Sequence, residues 1–306
     1  MHILISGSHG LIGSALTSWL TSRGHRIVRL VRPPRAPGPS EIVWDPIAGT
    51  IDAAGLEGMD AVIHLAGESI ASGRWTHARK QRILESRVRG TGLIAGALAH
   101  TRREPRTLIC ASAIGYYGNR GDEILIEQSG PGSGFLADLA RNWEAAAEPA
   151  RQAGIRVVHL RSGIVLSPTG GALARLLPVF RLGLGGRLGS GRQFMSWITI
   201  DDEVGAIDHA LQHASMSGPV NLVSPQPVTN REFAETLGRV LRRPALFSAP
   251  AIALRMALGE LSSELLGSLR VHPAALLAAG YTFRHPDLET GLRDLLNRSA
   301  ISPTTG

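Results

Sequence analysis

Six short apolar runs, rich in β-branched residues, punctuate the first three quarters of the chain: HILIS at 2–6, RIVRLV at 26–31, AVIHLA at 61–66, TLICAS at 107–112, RVVHLRS at 156–162 and VNLVS at 220–224. Each is too short for a core helix, and several end at Gly or Ser, which is how buried strands read. Between them, over 11–23, 76–100 and 135–153, apolar residues recur at helical spacing. Strands alternating with helices predict βαβ units, and therefore a doubly wound parallel sheet covered by helices on both faces. From Ser167 the texture changes. Residues 167–196 are rich in Gly and Arg and read as a substrate-side loop carrying one short helix, beyond the strand ends where such folds keep substrate residues. The stretch from 229 to 296 is mostly helical, is broken by Pro244, Pro250, Pro273 and Pro286, and reads as a small cap. The pattern divides the chain into a sheet domain at 1–228, a helical cap at 229–298 and a loose tail at 299–306, with PPRAPGPS at 33–40 as a mobile surface linker.

A chain of 306 residues with 43% hydrophobic content can bury a large core. Its first apolar run is too short to span a bilayer and lacks a basic flank and a cleavage site, so the expected location is the cytoplasm, with no membrane partner. The net charge of +7 comes from arginines distributed along the chain without a basic block, and no nucleic-acid partner is expected. Lys80 is the only lysine and Cys110 the only cysteine; Cys110 lies inside an apolar run and reads as a buried, inert thiol. The eleven histidines show no ligand spacing, so no metal is expected.

Candidate chemistry begins directly after the first run, where Gly7-Ser-His-Gly10-Leu-Ile-Gly13 opens a helix. Glycines at this point allow a tight turn and a backbone close enough for amide contacts to a pyrophosphate at the positive end of a helix. The second run ends at Leu30-Val31-Arg32, where an NAD site would place an acid for the ribose hydroxyl; Arg32 offers a planar cation for a 2′-phosphate instead. The expectation is a Rossmann-type site holding NADP(H).

These motifs, with DAVIHLAG, ASAIGYYG and SWITIDD, resemble the extended short-chain dehydrogenase/reductase superfamily of the NAD-dependent epimerase/dehydratase type. LAGESI, ESRVRGT, NWEAAA, LRSGIVL, GLGGRLGSGRQ and AGYTFRHP narrow the resemblance to an atypical subgroup labelled epimerase family protein, covering Met1 to about Leu296. The resemblance implies Gly7, Gly10, Leu11, Ile12 and Gly13 under the pyrophosphate, Arg32 and the Val31 backbone beside the adenosine phosphate, and Leu65, Ala66 and Gly67 along the cofactor's middle. It further implies Arg82 and Arg87 reaching the cofactor, Val165 near the nicotinamide, and a homodimer formed through helices that flank the sheet.

Redox members of the superfamily use a tyrosine and a lysine four residues apart on one helix, together with a serine or threonine. Aligning FLADLARNWE with that helix puts Leu136 and Ala140 at the two positions, and Lys80 has Thr76 four residues before it, so the dyad is absent from the chain. Ala113 stands at the serine position, one residue after Ser112. Ser112 with Tyr117, or its neighbour Tyr116, is the first place to look for acid/base groups, against the alternative of packed hydroxyls. Met195 replaces the arginine that grips the diphosphate of nucleotide sugars. Asp201 and Asp202 read as an N-cap pair, with Glu203 in the following turn, while Glu68 and Arg74-Trp75 either line the substrate side or order a loop. The leading reading is an NADP(H)-binding oxidoreductase- or epimerase-like protein with a noncanonical site for a small-molecule substrate. Its alternatives are a catalytically silent NADP(H)-sensing regulatory or interaction protein and a nucleotide-sugar epimerase.

Overall fold

The predicted apolar runs lie side by side. The computed structural model describes residues 1–33, 38–101 and 106–301, the last three as backbone only. Most of the expected tail and the centre of the expected linker, residues 34–37, therefore lie outside the described residues. The first strands are β1 (His2–Ser6), β2 (Arg26–Val31), β3 (Glu41–Asp45), β4 (Thr50–Ile51), β5 (Ala61–His64) and β6 (Thr107–Ala113). With Arg156–Ser162 and Gly218–Leu222 they form one eight-stranded sheet, in the order Gly218–Leu222, Arg156–Ser162, β6, β5, β1, β2, β3, β4. All neighbours are parallel except β3 and β4. The order turns back at β1, the crevice at which doubly wound folds bind ligands. Strands β3 and β4 lie beyond the six predicted runs, because EIVWD is a short strand beside a proline-rich stretch and β4, at the sheet edge, has only two residues. Its Trp44 is nonetheless buried under the sheet.

Helices α1 (Leu11–Ser22), α2 (His77–Leu98) and α3 (Phe135–Ala145) match the expected periods. The predicted 135–153 helix is divided, with Glu148–Gln152 forming α4. The division has a local cause, since Pro149 lies at the start of α4 and lacks the amide a continuous helix would need. Later helices include α5 (Gly171–Arg181), α6 (Ile200–Gln212) and α7 (Asn230–Leu241). One core fills the face covered by α1 and α6, with Ile3, Ile5, Leu16 and Ile207; a second fills the α2 face, with Leu4, Val62, Ile94 and Leu108.

The single short helix expected in 167–196 is α5, but the segment is more ordered than a loop. Strand Ile164–Ser167 pairs in parallel with Trp197–Thr199. Leu173, Leu177, Phe180 and Trp197 pack with Phe233, Leu237, Leu292 and Leu295 from the C-terminal helices, so one hydrophobic cluster takes residues from both sides of position 228. The N-cap expected at Asp201 and Asp202 lies earlier: Thr199 caps α6 by accepting from the Asp202 amide at 3.2 Å. Asp202 is buried and accepts from the Arg284 amide at 2.7 Å, the His285 amide at 2.9 Å and the hydroxyls of Thr199 at 3.0 Å and Tyr281 at 3.2 Å. This carboxylate fastens the C-terminal segment to the sheet domain. Asp202→Ala leaves several buried donors without an acceptor and is expected to cost about 3–5 kcal/mol. Urea unfolding monitored by circular dichroism checks this; a loss below about 1 kcal/mol would contradict the fastening role.

Candidate active site

The turn after β1 brings three backbones together. Gly7 adopts φ +70°, and a Cβ there would lie 2.8 Å from the Ala66 nitrogen and the Leu65 carbonyl carbon; a Cβ on Gly13 would lie 2.1 Å from the Gly7 carbonyl oxygen. Side chains are excluded at both positions, so the glycine loop presses against the segment after β5 and against its own helix. Gly10 caps α1 without a side-chain bond, and no acid stands in the first turn. The amides of Leu11, Ile12 and Gly13 thus open the positive end of α1 toward the crevice. Beneath the loop, Ser6 Oγ hydrogen-bonds His64 Nδ1 at 2.6 Å and accepts from the Ala66 amide at 3.4 Å, joining the ends of β1 and β5. His64 is fully buried with Nε2 unpartnered among the described residues. Burial, reinforced by the Arg87 charge, lowers its pKa to about 4.

At the end of β2, Val31 is buried and Arg32 is exposed at the crevice rim. Arg87 leans from α2 onto the β5 segment, with its Cζ 3.2 Å from where a Gly67 Cβ would stand. Its Nη1 donates to the carbonyls of Glu68 at 2.9 Å and Ile83 at 3.2 Å, its guanidinium lies 4.8 Å over Trp143, and its Nε has no partner among the described residues. Burial lowers its pKa to about 10. Arg82 is exposed and pairs with Glu68 at 3.6 Å. Trp75 is buried, whereas Arg74 donates to the carbonyls of Ala257 at 3.1 Å and Met256, reaching the helix Ala251–Leu258. Val165 is half-buried and packs against the α1–α6 core.

The hydroxyls singled out in the sequence are engaged in a buried network. Ser112 Oγ donates to Glu144 Oε1 at 2.7 Å, and Arg161 grips the same carboxylate with Nε at 2.8 Å and Nη2 at 2.9 Å. Arg161 Nη1 donates to Tyr117 Oη at 3.0 Å, which in turn donates to Asn221 Oδ1 at 2.7 Å. The Asn221 amide donates to Glu127 Oε1 at 3.0 Å, and the Tyr116 ring stacks 3.5 Å from the Arg161 guanidinium. Burial by itself would raise the Glu144 carboxyl, but Arg161 outweighs it and holds the group below the usual carboxylate range. Burial raises Tyr117 against the opposing pull of Arg161. Cys110 is buried and pushed up to about 12, chiefly by burial.

On α3, Ala140 is buried, and Leu136 packs with Phe135, Trp75 and Ile83 of the sheet domain and Leu261 of the C-terminal region. Leu136 also fills the space above Gly115, where a Cβ would lie 3.0 Å from its own. The face that would carry a tyrosine–lysine pair is therefore apolar. Met195 Sδ accepts from Asn230 Nδ2 at 3.1 Å. On the α6 side, Ser162 donates to the fully buried Glu203 at 2.6 Å, and burial lifts that carboxyl to about 8, so it is protonated at neutral pH. Glu144, Arg161 and Asn221 were missed from sequence. Their signal was charged or amide residues placed inside or beside otherwise apolar elements, which demands a buried partner.

Residues 3–222 match the model of the NAD dependent epimerase/dehydratase family. The chain belongs to this family. Residues 249–295 match a domain of unknown function (DUF1731). Among relatives, Epimerase family protein Mb2239 of Mycobacterium bovis is 48% identical over 92% of this chain and 93% of its own. Mouse Epimerase family protein SDR39U1 is 39% identical over 97% of this chain and all of its own. The crystal structure of human epimerase family protein SDR39U1 (isoform2) with NADPH superposes with a TM-score of 0.90 at 37% identity, covering 97% of this chain and 99% of that one. The subgroup and the doubly wound fold expected from the motifs are thereby established.

The burial of His64 beneath the glycine loop, beside the Arg87 charge, makes this region acid-sensitive. His64 is held near pKa 4 in the folded protein against about 6.5 when unfolded. Its contribution to stability is therefore present above pH 6.5 and is lost as pH falls toward 4, by on the order of 3 kcal/mol. Urea midpoints of the wild type and His64→Gln at pH 7 and 4.5 are expected to show a shallower acid decline in the variant; parallel declines would exclude His64 as the cause.

Proposed function

We propose that this chain binds NADP(H) across the crevice at β1 and works as an oxidoreductase- or epimerase-like protein on a small molecule, without a tyrosine–lysine pair. The observation that carries the reading is the cradle in which Gly7 and Gly13 exclude any side chain while α1 turns its uncapped amides outward. A pyrophosphate fits that cradle because it takes the space a Cβ would fill and is attracted by the helix terminus. Gly10, Leu11 and Ile12 complete the loop. Arg32 and the backbone of Val31 hold the 2′-phosphate, which an acid at this position would repel. Leu65, Ala66 and Gly67 form the middle of the groove, Arg87 brings a desolvated cation to it, Arg82 adds charge at its edge, and Val165 closes the far end. The crystal structure of the human relative with NADPH supports the choice of cofactor. Bound there, the nicotinamide would supply reversible two-electron transfer.

Ser112 and Tyr117 serve this site by position, since their hydroxyl protons are directed to Glu144 and Asn221. They hold the floor through Arg161 and do not face the substrate as free acids. A nucleotide-sugar substrate has little support, since Met195 gives no charge for a diphosphate. The sensor reading has one observation in its favour: Leu136 ties the dyad face to Leu261 in an apolar cluster, which could couple the cofactor groove to the C-terminal region.

Calorimetric titration is expected to give tighter binding of NADPH than of NADH. Arg32→Ala should weaken NADPH roughly tenfold to a hundredfold while sparing NADH, by loss of a charge-assisted contact, and Gly13→Ala should abolish binding of both. Equal affinity of the wild type for both cofactors would overturn the assignment to NADP(H). Consumption of NADPH with a panel of small carbonyl compounds separates enzyme from sensor, absence of turnover with intact binding favouring the sensor.

A further inference from the structure

Two segments that pack against each other in the C-terminal half are both basic. Residues 164–199 carry four arginines and no acidic residue, and residues 228–259 carry five arginines against Glu232 and Glu235, a net charge of +7 between them. The same region holds most of the chain's large exposed apolar side chains. Leu246 is 87% exposed and Leu182 74%, and Leu184, Phe247, Ile252 and Met256 are each more than half exposed.

These side chains form one face. Strands Gly186–Leu188 and Phe247–Ala249 pair in parallel with Gly186 opposite Phe247, so Leu184 and Leu246 lie just ahead of neighbouring strands, one register position apart. Gly183 lies against Pro244, where a Cβ would be 3.6 Å from the ring. The helix Ala251–Leu258, sequence AIALRMAL, follows at once and contains no buried residue. Ile252 and Met256, four residues apart, share one side of it. Arg181, Arg187, Arg242, Arg243 and Arg255 are interleaved with these residues, and all are exposed.

We propose that this face docks on the surface of an anionic lipid bilayer. Leucine and phenylalanine projecting among arginines suit the boundary between headgroups and acyl chains, where apolar burial and attraction to anionic lipid act together. The phosphates of a nucleic acid would leave those side chains in water, and a second copy of this face would set arginine against arginine. No described helix is long and apolar enough to cross a membrane, so the contact is peripheral. The sequence-based expectation of no membrane partner rested on the lack of a spanning segment, and the proposal departs from it only in adding a surface contact.

The test is flotation of the full chain with vesicles of equal parts phosphatidylcholine and phosphatidylserine, and with vesicles of phosphatidylcholine alone. Binding is expected to the anionic vesicles only and to weaken with salt. The double substitutions Leu246→Ser with Phe247→Ser and Arg242→Gln with Arg243→Gln should each reduce it roughly tenfold or more. All four positions are exposed, and unchanged thermal melts will show that the variants fold. The proposal is overturned by failure to float with anionic vesicles, by equal binding to both compositions, or by variants that bind like the wild type. It is also overturned if light scattering shows that the face is occupied by a second copy, or if duplex DNA is retained in place of lipid.

Discussion

The geometry of this protein's crevice depends on how closely three stretches of backbone approach one another. A Cβ at Gly13 would fall 2.1 Å from the Gly7 carbonyl oxygen, and one at Gly7 would fall 2.8 Å from the backbone of Leu65 and Ala66. No side chain of any chemistry fits at either position, so helix α1 can start where it does, with its amides facing the crevice, only because glycine stands there. The contact also fixes the relative height of β1 and β5, and the Ser6–His64 hydrogen bond repeats the same constraint one layer down. The ligand groove and the core beneath it are therefore set by the same few atoms.

The second organising element is the buried pair of Arg161 and Glu144. Removing two ions from water costs several kcal/mol each, and the cost is offset only where geometry is good and the remaining polar atoms are satisfied. Both conditions hold here, since the pair is bidentate and is extended by Ser112, Tyr117 and Asn221. The network engages the hydroxyls of Ser112 and Tyr117, while Leu136 and Ala140 make the facing side of α3 apolar. The tyrosine–lysine pair is absent from these positions, while the glycine loop is intact.

The C-terminal region is not an appendage. Asp202 gathers the 281–285 segment onto α6, and one hydrophobic cluster runs from α5 through Trp197 to the last helix. On the surface of this region Leu246, Phe247, Ile252 and Met256 are exposed among arginines.

Most of the fold was legible because its signals are local. Strand runs, helical periods and the glycine spacing each depend on residues within about a dozen positions of one another, and their meaning survives without tertiary context. The missing dyad was legible for the same reason, being a spacing rule on one helix. The strand at 41–45 was missed, and the break in the 135–153 helix and the cap of α6 were misread, because a five-residue strand beside a proline-rich stretch, Pro149 and Thr199 each offered a weaker local signal than their neighbours. What only the tertiary structure decided concerns partners distant in sequence: that Ser112 meets Glu144, that Tyr117 meets Asn221 across 104 positions, and that two separate arginine-bearing segments form one face. A hydroxyl or a charge has no fixed role in sequence, because its role is set by the group that shares its hydrogen bond or its field, and that group is chosen by the sheet that brings the two together.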